Sequence, residues 1–349
     1  MVKTSAAKFE PSARSFCEIS ETKSKTQVEL SEQNFLMKIV ENFNFDYRKN
    51  EVITMPNITG HTELVGLMAY PIRHSQSPST HNLAYDKNGD DVVQLAFEVD
   101  NDSLPAAVES IRALKMLGSN ISMPNKTVVH KYLDEVDEAA RLCGAINTVV
   151  NTRDAEGHVT GKLKGYNTDG MGYWQGIKEE GIDFKGMKMV LIGTGGAATA
   201  IAVRGALDGI AEMHIFNIKD KFYARGEEIV ETINKNTGCK ATMNDLADKE
   251  LLKKLMQEAD IFCDATGVGM HPLEDLSNIP DPSFFRKDLI VTDTVYAPRE
   301  TVMMKQAKEA GCDRVYNGMS MMLFQALIAI ELYTGKSTPV DYMKEKLGI

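Results

Sequence analysis

Four short polar clusters interrupt apolar runs in the first half of the chain: His74-Ser75-Gln76-Ser77-Pro78, Asn120-Ile121-Ser122-Met123-Pro124-Asn125-Lys126, Ala145-Ile146-Asn147-Thr148 and Tyr166-Asn167-Thr168-Asp169-Gly170. Lysine and aspartate, present here as Lys126 and Asp169, are residue types able to exchange protons. Ser75 and Ser77 precede Pro78, a favoured first helical residue, so their hydroxyls stand beside free backbone N–H groups, a setting that suits a bound carboxylate. Each residue also has a plainer reading. Ser77 reads equally as an N-cap, Lys126 as a solvated lysine, Asn147 as a partner for loop backbone and Asp169 as a turn residue.

A fifth feature is backbone chemistry. The run Met189-Val190-Leu191-Ile192 leads into Gly193-Thr194-Gly195-Gly196-Ala197-Ala198, followed by small residues with helical character. This fits G-x-G-x-x-A at a strand-to-helix turn, where glycines admit a pyrophosphate and the helix N-terminus faces its charge. A second apolar strand leads to Asn217-Ile218-Lys219-Asp220, about where such a site needs an acid for the adenosine ribose. The alternative is a glycine turn joining a core strand to a helix. For Asp220 it is a helix cap, with Lys219 free for a phosphate.

The elements that position these residues follow from composition and pattern. With 349 residues, 43% hydrophobic and 25% charged, the chain exceeds one core and implies two domains. Its formal net charge of −10 argues against nucleic acid as a partner. The cysteines, Cys17, Cys143, Cys239, Cys263 and Cys312, are scattered and match neither a metal-site spacing nor a disulfide framework. No apolar run approaches the roughly 20 residues of a membrane span, and no hydrophobic signal segment opens the chain. A cytoplasmic, unanchored protein without a metal is the expectation.

Residues 1–54 are polar apart from a patch at Phe35, Leu36 and Ile39 and are read as an extension that forms no core of its own, with Met55 a candidate start codon. From residue 58 short β-rich runs (64–70, 92–99) alternate with helical stretches (104–117). A second β-α series (187–192, 213–216, 261–263, 289–295) implies a parallel sheet. Helical patterns at 321–332 and 340–347 close the chain.

Taken together, the clusters resemble the shikimate dehydrogenase family from about Thr59 to the C-terminus. The serine pair matches Ser75 and Ser77, the Asn-x-Ser/Thr-x-Pro-x-Lys element matches Asn120 to Lys126, Gly-Ala-x-Asn-Thr matches Gly144 to Thr148, and Gly-x-Asn-Thr-Asp-Gly matches Gly165 to Gly170. Farther on, Ala265 to Met270, Asp293 to Pro298 and Gly318 to Ala326 fall where the family has nicotinamide and substrate contacts. Details such as Ala69-Tyr70-Pro71-Ile72-Arg73-His74-Ser75 are most similar to the quinate/shikimate dehydrogenase subgroup. One departure is Asp264, where many members have Asn.

The resemblance implies two α/β domains around a cleft: a split substrate domain (55–168 and 317–349) and a Rossmann-like dinucleotide domain (169–316). It implies interconversion of shikimate and 3-dehydroshikimate, or quinate and 3-dehydroquinate, by hydride transfer to or from NAD or NADP. Lys126 and Asp169 would be the acid-base pair. Ser75, Ser77, Ser122, Asn147, Thr168, Tyr296 and Gln325 would hold the ring acid, and Gly193, Gly195, Gly196, Ala197, Ala198, Asn217, Asp220, Thr266, Gly318 and Met321 the cofactor. NADP users commonly carry Asn-Arg where this chain has Asn217-Ile218, so NAD is the expected cofactor. No membrane partner follows, and a homodimer is the assembly left open. A catalytically silent sensor of NAD and a ring acid remains a competing reading, as does a dehydrogenase of an amino-substituted ring.

Overall fold

A computed structural model of the chain describes residues 58–349, so residues 1–54, with the apolar patch at Phe35, lie outside the described residues. The described part is α/β throughout. Its strands form two sheets of six, ordered β2-β1-β3-β5-β6-β4 and β12-β11-β10-β7-β8-β9.

The first sheet contains β1 (Glu63–Ala69), β2 (Val92–Glu98), β3 (Gly118–Ile121), β4 (Glu135–Val136), β5 (Thr148–Arg153) and β6 (Val159–Tyr166). β1 runs parallel to β2 and β3, while β5 is antiparallel to β3 and β6. The crossovers are α1 (Ser77–Asn88) and α2 (Leu104–Ala113), and α3 (Glu138–Cys143) leads into β5. The second sheet contains β7 (Lys188–Ile192), β8 (Glu212–Asn217), β9 (Lys240–Asp245), β10 (Ile261–Asp264), β11 (Ile290–Asp293) and β12 (Val315–Tyr316), all parallel. Numbered within itself, its order is 3-2-1-4-5-6, the doubly wound arrangement, and the order reverses between β7 and β10. Its central strands β7, β10 and β11 are almost wholly buried and read as short, mainly apolar runs. α5 (Gly196–Asp208), α6 (Tyr223–Asn236), α7 (Lys249–Glu258) and α8 (Val302–Glu309) cover it.

Two helices join these layers. α4 (Thr168–Glu179) follows β6, and α9 (Met319–Thr334) follows β12. Glycines let them approach: a Cβ on Gly172 would collide with the backbone of Gln325, and one on Gly170 with the carbonyl of Ala200 in α5. Trp174 fills the α4–α5 seam, its Nε1 donating to the Ile201 carbonyl at 2.9 Å. A last helix, α10 (Val340–Leu347), matches the amphipathic pattern read at 340–347.

Some expectations shift in detail. The helix read over 104–117 stops at Ala113, because Lys115 takes a positive φ of 52° and the Leu117 amide donates to the Leu64 carbonyl, feeding the chain into β3. Pattern reading also missed β9 and β12: Lys240, Thr242 and Asp245 break the apolar pattern of one, and the other has only two residues. Among the described residues no helix is long and apolar enough to cross a membrane.

Candidate functional site

The N-terminus of α1 brings the two serines together. Helix geometry begins at Ser77 with Gln76 as cap, so Ser77 is the first helical residue and not the cap read from sequence. The cap role passes partly to Ser75, whose Oγ accepts the Ser77 N–H at 3.2 Å. The Ser77 hydroxyl lies 3.3 Å from Oε1 of Gln94 on β2. Gln94 is buried and donates through Nε2 to Oδ1 of Asn120 at 2.7 Å. Behind them His81 is buried, its Nδ1 2.9 Å from the Ser77 carbonyl, and burial pushes its pKa down to about 4.

Lys126 sits in a one-turn 3-10 helix, Asn125–Thr127, pinned by Asn125 Nδ2 donating to the Val99 carbonyl at 2.8 Å. Asp169 sits in the first turn of α4, where the helix dipole favours an anion. The cap of that helix is Asn167, whose Oδ1 accepts from the N–H groups of Asp169 and Gly170. The loop at Ala145–Asn147 ties the two ends: Ile146 N–H donates to the Lys126 carbonyl, and Asn167 Nδ2 donates to the Ala145 carbonyl. Lys126 Nζ consequently meets Asp169 Oδ2 at 2.9 Å, with side chains 26% and 20% exposed. Both are partly buried, yet both keep a face that a ligand can reach. Asn147 and Thr168 join the same group, Asn147 Nδ2 lying 2.9 Å from both Asp169 Oδ1 and Thr168 Oγ1.

Other sequence candidates are held separately. Ser122 is half-buried immediately after β3, and its N–H donates to the Met68 carbonyl. Gln325, on α9, donates to the Met322 carbonyl at 3.0 Å. Tyr296, in the loop after β11, is 38% exposed, and burial of its hydroxyl raises its pKa. A 490 Å³ hollow whose lining includes Leu64, Phe97, Leu114 and Met116 contains none of these residues.

In the second sheet the glycine turn leaves the C-terminal end of β7 at the point of strand reversal. Gly193 has φ of 113°, and a Cβ there would lie 2.9 Å from the Ala265 carbonyl. Gly195 and Gly196 are exposed with open space before them, and the first turn of α5, which holds Ala197 and Ala198, carries no acidic residue. Such a turn fits a pyrophosphate. Asn217 ends β8. Asp220 lies three residues beyond it, exposed, its Oδ1 accepting from Asn217 Nδ2 at 3.2 Å and from the Phe222 N–H at 2.9 Å. Lys219 is not free, as its Nζ pairs with Asp245 Oδ2 on β9 at 3.3 Å. Thr266 follows β10, with its N–H and hydroxyl donating to Asp264 Oδ1. Gly318 caps α9, packed where a Cβ would strike the Thr294 carbonyl, and Met321 packs partly buried against the core of this sheet.

Comparison with known proteins decides the family. A model of the shikimate dehydrogenase substrate binding domain matches residues 67–149. A shikimate dehydrogenase (NADP(+)) of Streptococcus uberis is 52% identical over 290 residues, 83% of this chain and 97% of that protein. The chain belongs to the shikimate dehydrogenase family. A quinate/shikimate dehydrogenase of Escherichia coli is 46% identical over 84% of this chain and 99% of its own length. A solved shikimate 5-dehydrogenase from Listeria monocytogenes, in complex with shikimate and NAD, superposes with a TM-score of 0.79 at 50% identity, covering 85% of this chain and 99% of that one.

Within this shikimate dehydrogenase family member, sequence reasoning missed Gln94 and His81 as parts of the polar cluster. Gln94 carried a signal: it takes an inward position on β2, where alternation calls for an apolar residue. His81 stands one turn after Ser77 on α1, a spacing visible only once the helix is known to start there.

Proposed function

We propose that the chain oxidises a ring hydroxyl of shikimate or quinate, and reduces the corresponding ketone, with NAD preferred over NADP. The observation that carries this reading is the 2.9 Å contact of Lys126 Nζ with Asp169 Oδ2, a proton-transfer pair whose two members remain accessible. Ser75 and Ser77 at the start of α1 hold the carboxylate. Asn147, Thr168 and Gln325 orient the ring hydroxyls, while Ser122 and Tyr296 add contacts. When bound, the nicotinamide accepts the hydride from the carbon that bears the reacting hydroxyl. The hydroxyl proton passes to Lys126 and Asp169, which act as one coupled unit. In the reducing direction the Lys126 ammonium returns it to the forming alkoxide. Oxidation releases a proton and reduction consumes one, so the oxidation rate climbs with pH.

The residues present fit a dinucleotide: an open glycine turn, an acid-free helix N-terminus and a Rossmann strand order. NAD preference rests on three neighbours at the end of β8. Ile218 stands exposed where NADP users carry Arg, Lys219 is paired with Asp245, and Asp220 adds a negative charge that repels a 2′-phosphate. We assign residues 55–168 and 317–349 to the substrate domain and 169–316 to the dinucleotide domain, and deletion of residues 1–54 is expected to leave activity intact.

One assay tests the whole reading: initial rates of reduced-cofactor formation with shikimate and quinate, each with NAD and NADP. A higher kcat/KM with NAD supports it, and Ile218→Arg with Asp220→Ala should turn preference toward NADP. Equal or better use of NADP by the unmutated protein removes the cofactor assignment. No activity on either ring acid removes the reaction.

A further inference from the structure

Asp169 is held from two sides. Lys126 occupies Oδ2, and Asn147 Nδ2 donates to Oδ1, each at 2.9 Å. The orientation of the Asn147 amide follows from its other end, because the backbone N–H of Thr168 points at Asn147 Oδ1 from 2.8 Å and requires an acceptor there. Nδ2 must then face the carboxylate. Two hydroxyls reach the same oxygen as well, Thr148 Oγ1 at 3.0 Å and Thr168 Oγ1 at 3.2 Å. Thr148 is fully buried at the start of β5, and its hydroxyl also lies 3.4 Å from that of Thr168.

We propose that Thr148 is a positioning residue for the acid-base pair, its hydroxyl holding and polarising the Asn147 amide so that Nδ2 drains charge from Asp169 on the side away from Lys126. The inference rests on the reading of Lys126 and Asp169 as the acid-base unit. Hydrogen bonds in series polarise one another, and a carbonyl that accepts two donors makes its own N–H groups stronger donors. The donation matters most when Lys126 has given up its proton, since the negative charge on Asp169 then lacks a compensating cation. The amide thus favours the proton-poor form of the unit. Loss of the Thr148 hydroxyl moves the alkaline rise in oxidation rate to higher pH.

Other charged or titratable groups near the pair are accounted for. On α3, Cys143 is pushed up to about 12, first by burial and then by Asp169, with Asp137, Arg204 and Arg225 acting on the same thiol. Tyr166 faces Thr148 across the β5–β6 pairing, and Tyr333 on α9 is driven well above its ordinary range by burial. Burial keeps Cys143 and Tyr333 from ionising in the neutral range.

The test compares the full chain with Thr148→Val, Thr148→Ala and Thr148→Ser, measuring ring-acid-dependent NADH formation from neutral to alkaline pH. Val and Ala remove the hydroxyl with and without the methyl volume, so one folded variant of the two suffices. In it the half-maximal pH should rise by roughly half a unit and kcat fall about 3- to 10-fold, the size expected from weakening one hydrogen bond to a charged group. KM for NAD should stay unchanged, and Ser should restore the profile. A folded Val or Ala variant with an unmoved profile overturns the inference, as does a Ser variant that fails to restore it. If the unmutated enzyme forms neither NADH nor NADPH with either ring acid, the functional reading falls and this inference with it.

Discussion

Asp169 meets a lysine across 2.9 Å and remains 20% exposed, whereas Asp264 meets Asp293 as its parallel-strand partner at the ends of β10 and β11, each 2% exposed. The first carboxylate is balanced by an opposite charge and open to a ligand. Among the described residues no salt bridge joins either member of the second pair, and only the more distant Lys249 charge opposes the rise at Asp264. Burial raises the pKa of Asp264, and burial followed by the Asp264 charge raises that of Asp293 to about 7. Their work is internal: Asp264 Oδ1 accepts from the Thr266 N–H and hydroxyl, and Oδ2 from Asn278, while Asp293 accepts from the Val295 N–H and the Thr301 hydroxyl. Like charges held out of water favour protons on the pair and make them fasteners of the two loops that follow. One acid type serves chemistry or architecture according to its partner.

The largest effect should come from breaking the balanced pair. Lys126→Ala and Asp169→Asn should each lower kcat by about 10²- to 10⁴-fold, with cofactor affinity nearly unchanged, because the positioned proton transfer is lost while the glycine turn is untouched. Stopped-flow turnover alongside NAD titration by fluorescence separates the two quantities. A Lys126→Ala enzyme with near-normal turnover would refute the acid-base assignment.

That pair was legible only through the family resemblance, because Lys126 alone reads as a solvated lysine and Asp169 as a turn residue. The glycine turn was legible directly, as its chemistry is local and its flanking strand and helix are plain. What stayed hidden depends on contacts far apart in the chain. Gln94 reaches Asn120 across 26 positions, and Asp264 meets Asp293 only through strand register. Asp264 was visible as a departure from a family pattern, yet nothing local disclosed that its neighbour would be another acid. Asp220 was expected as a ribose ligand, and its contacts with Asn217 and Phe222 also make it a turn cap, a role set by the backbone beyond β8.

A smaller effect sharpens the other half of the comparison. Asp293 has a folded pKa of about 7 against 3.8 unfolded, so the folded state holds the extra proton between those values and loses stability as pH rises across that window. Asp264→Asn removes the neighbouring charge, brings Asp293 down and flattens that loss. The variant's Tm relative to the unmutated protein should therefore be higher at pH above about 7 than near pH 5, by about 2–4 °C for each kcal/mol relieved. Asn278 must turn its amide to suit the new side chain, which shifts both pH values alike. A Tm difference that does not vary with pH would mean that the Asp264 charge does not raise the pKa of Asp293.

The smallest effect concerns His81, which titrates over much of the same window with the opposite sign. Burial holds its folded pKa at about 4 against 6.5 unfolded, so on acidification the unfolded chain takes up a proton first and stability falls from about 6.5 toward 4. Its Nδ1 lies 2.9 Å from the Ser77 carbonyl, and Nε2 is buried without a hydrogen-bond partner. His81→Leu forfeits the Nδ1 bond at every pH but abolishes the proton uptake that penalises the folded state in acid. The variant's deficit in Tm should therefore shrink as pH falls from about 7 to about 4.5, by roughly 1 kcal/mol or more of recovered stability. Because the two groups titrate with opposite sign over much of one window, their contributions partly cancel in the unmutated protein, and His81→Leu combined with Asp264→Asn should leave the slope of Tm with pH nearer to that of the unmutated protein than either substitution alone. Thermal unfolding followed by circular dichroism at matched ionic strength measures this. A His81→Leu deficit that stays constant or grows in acid would show that His81 accepts its proton within the folded protein.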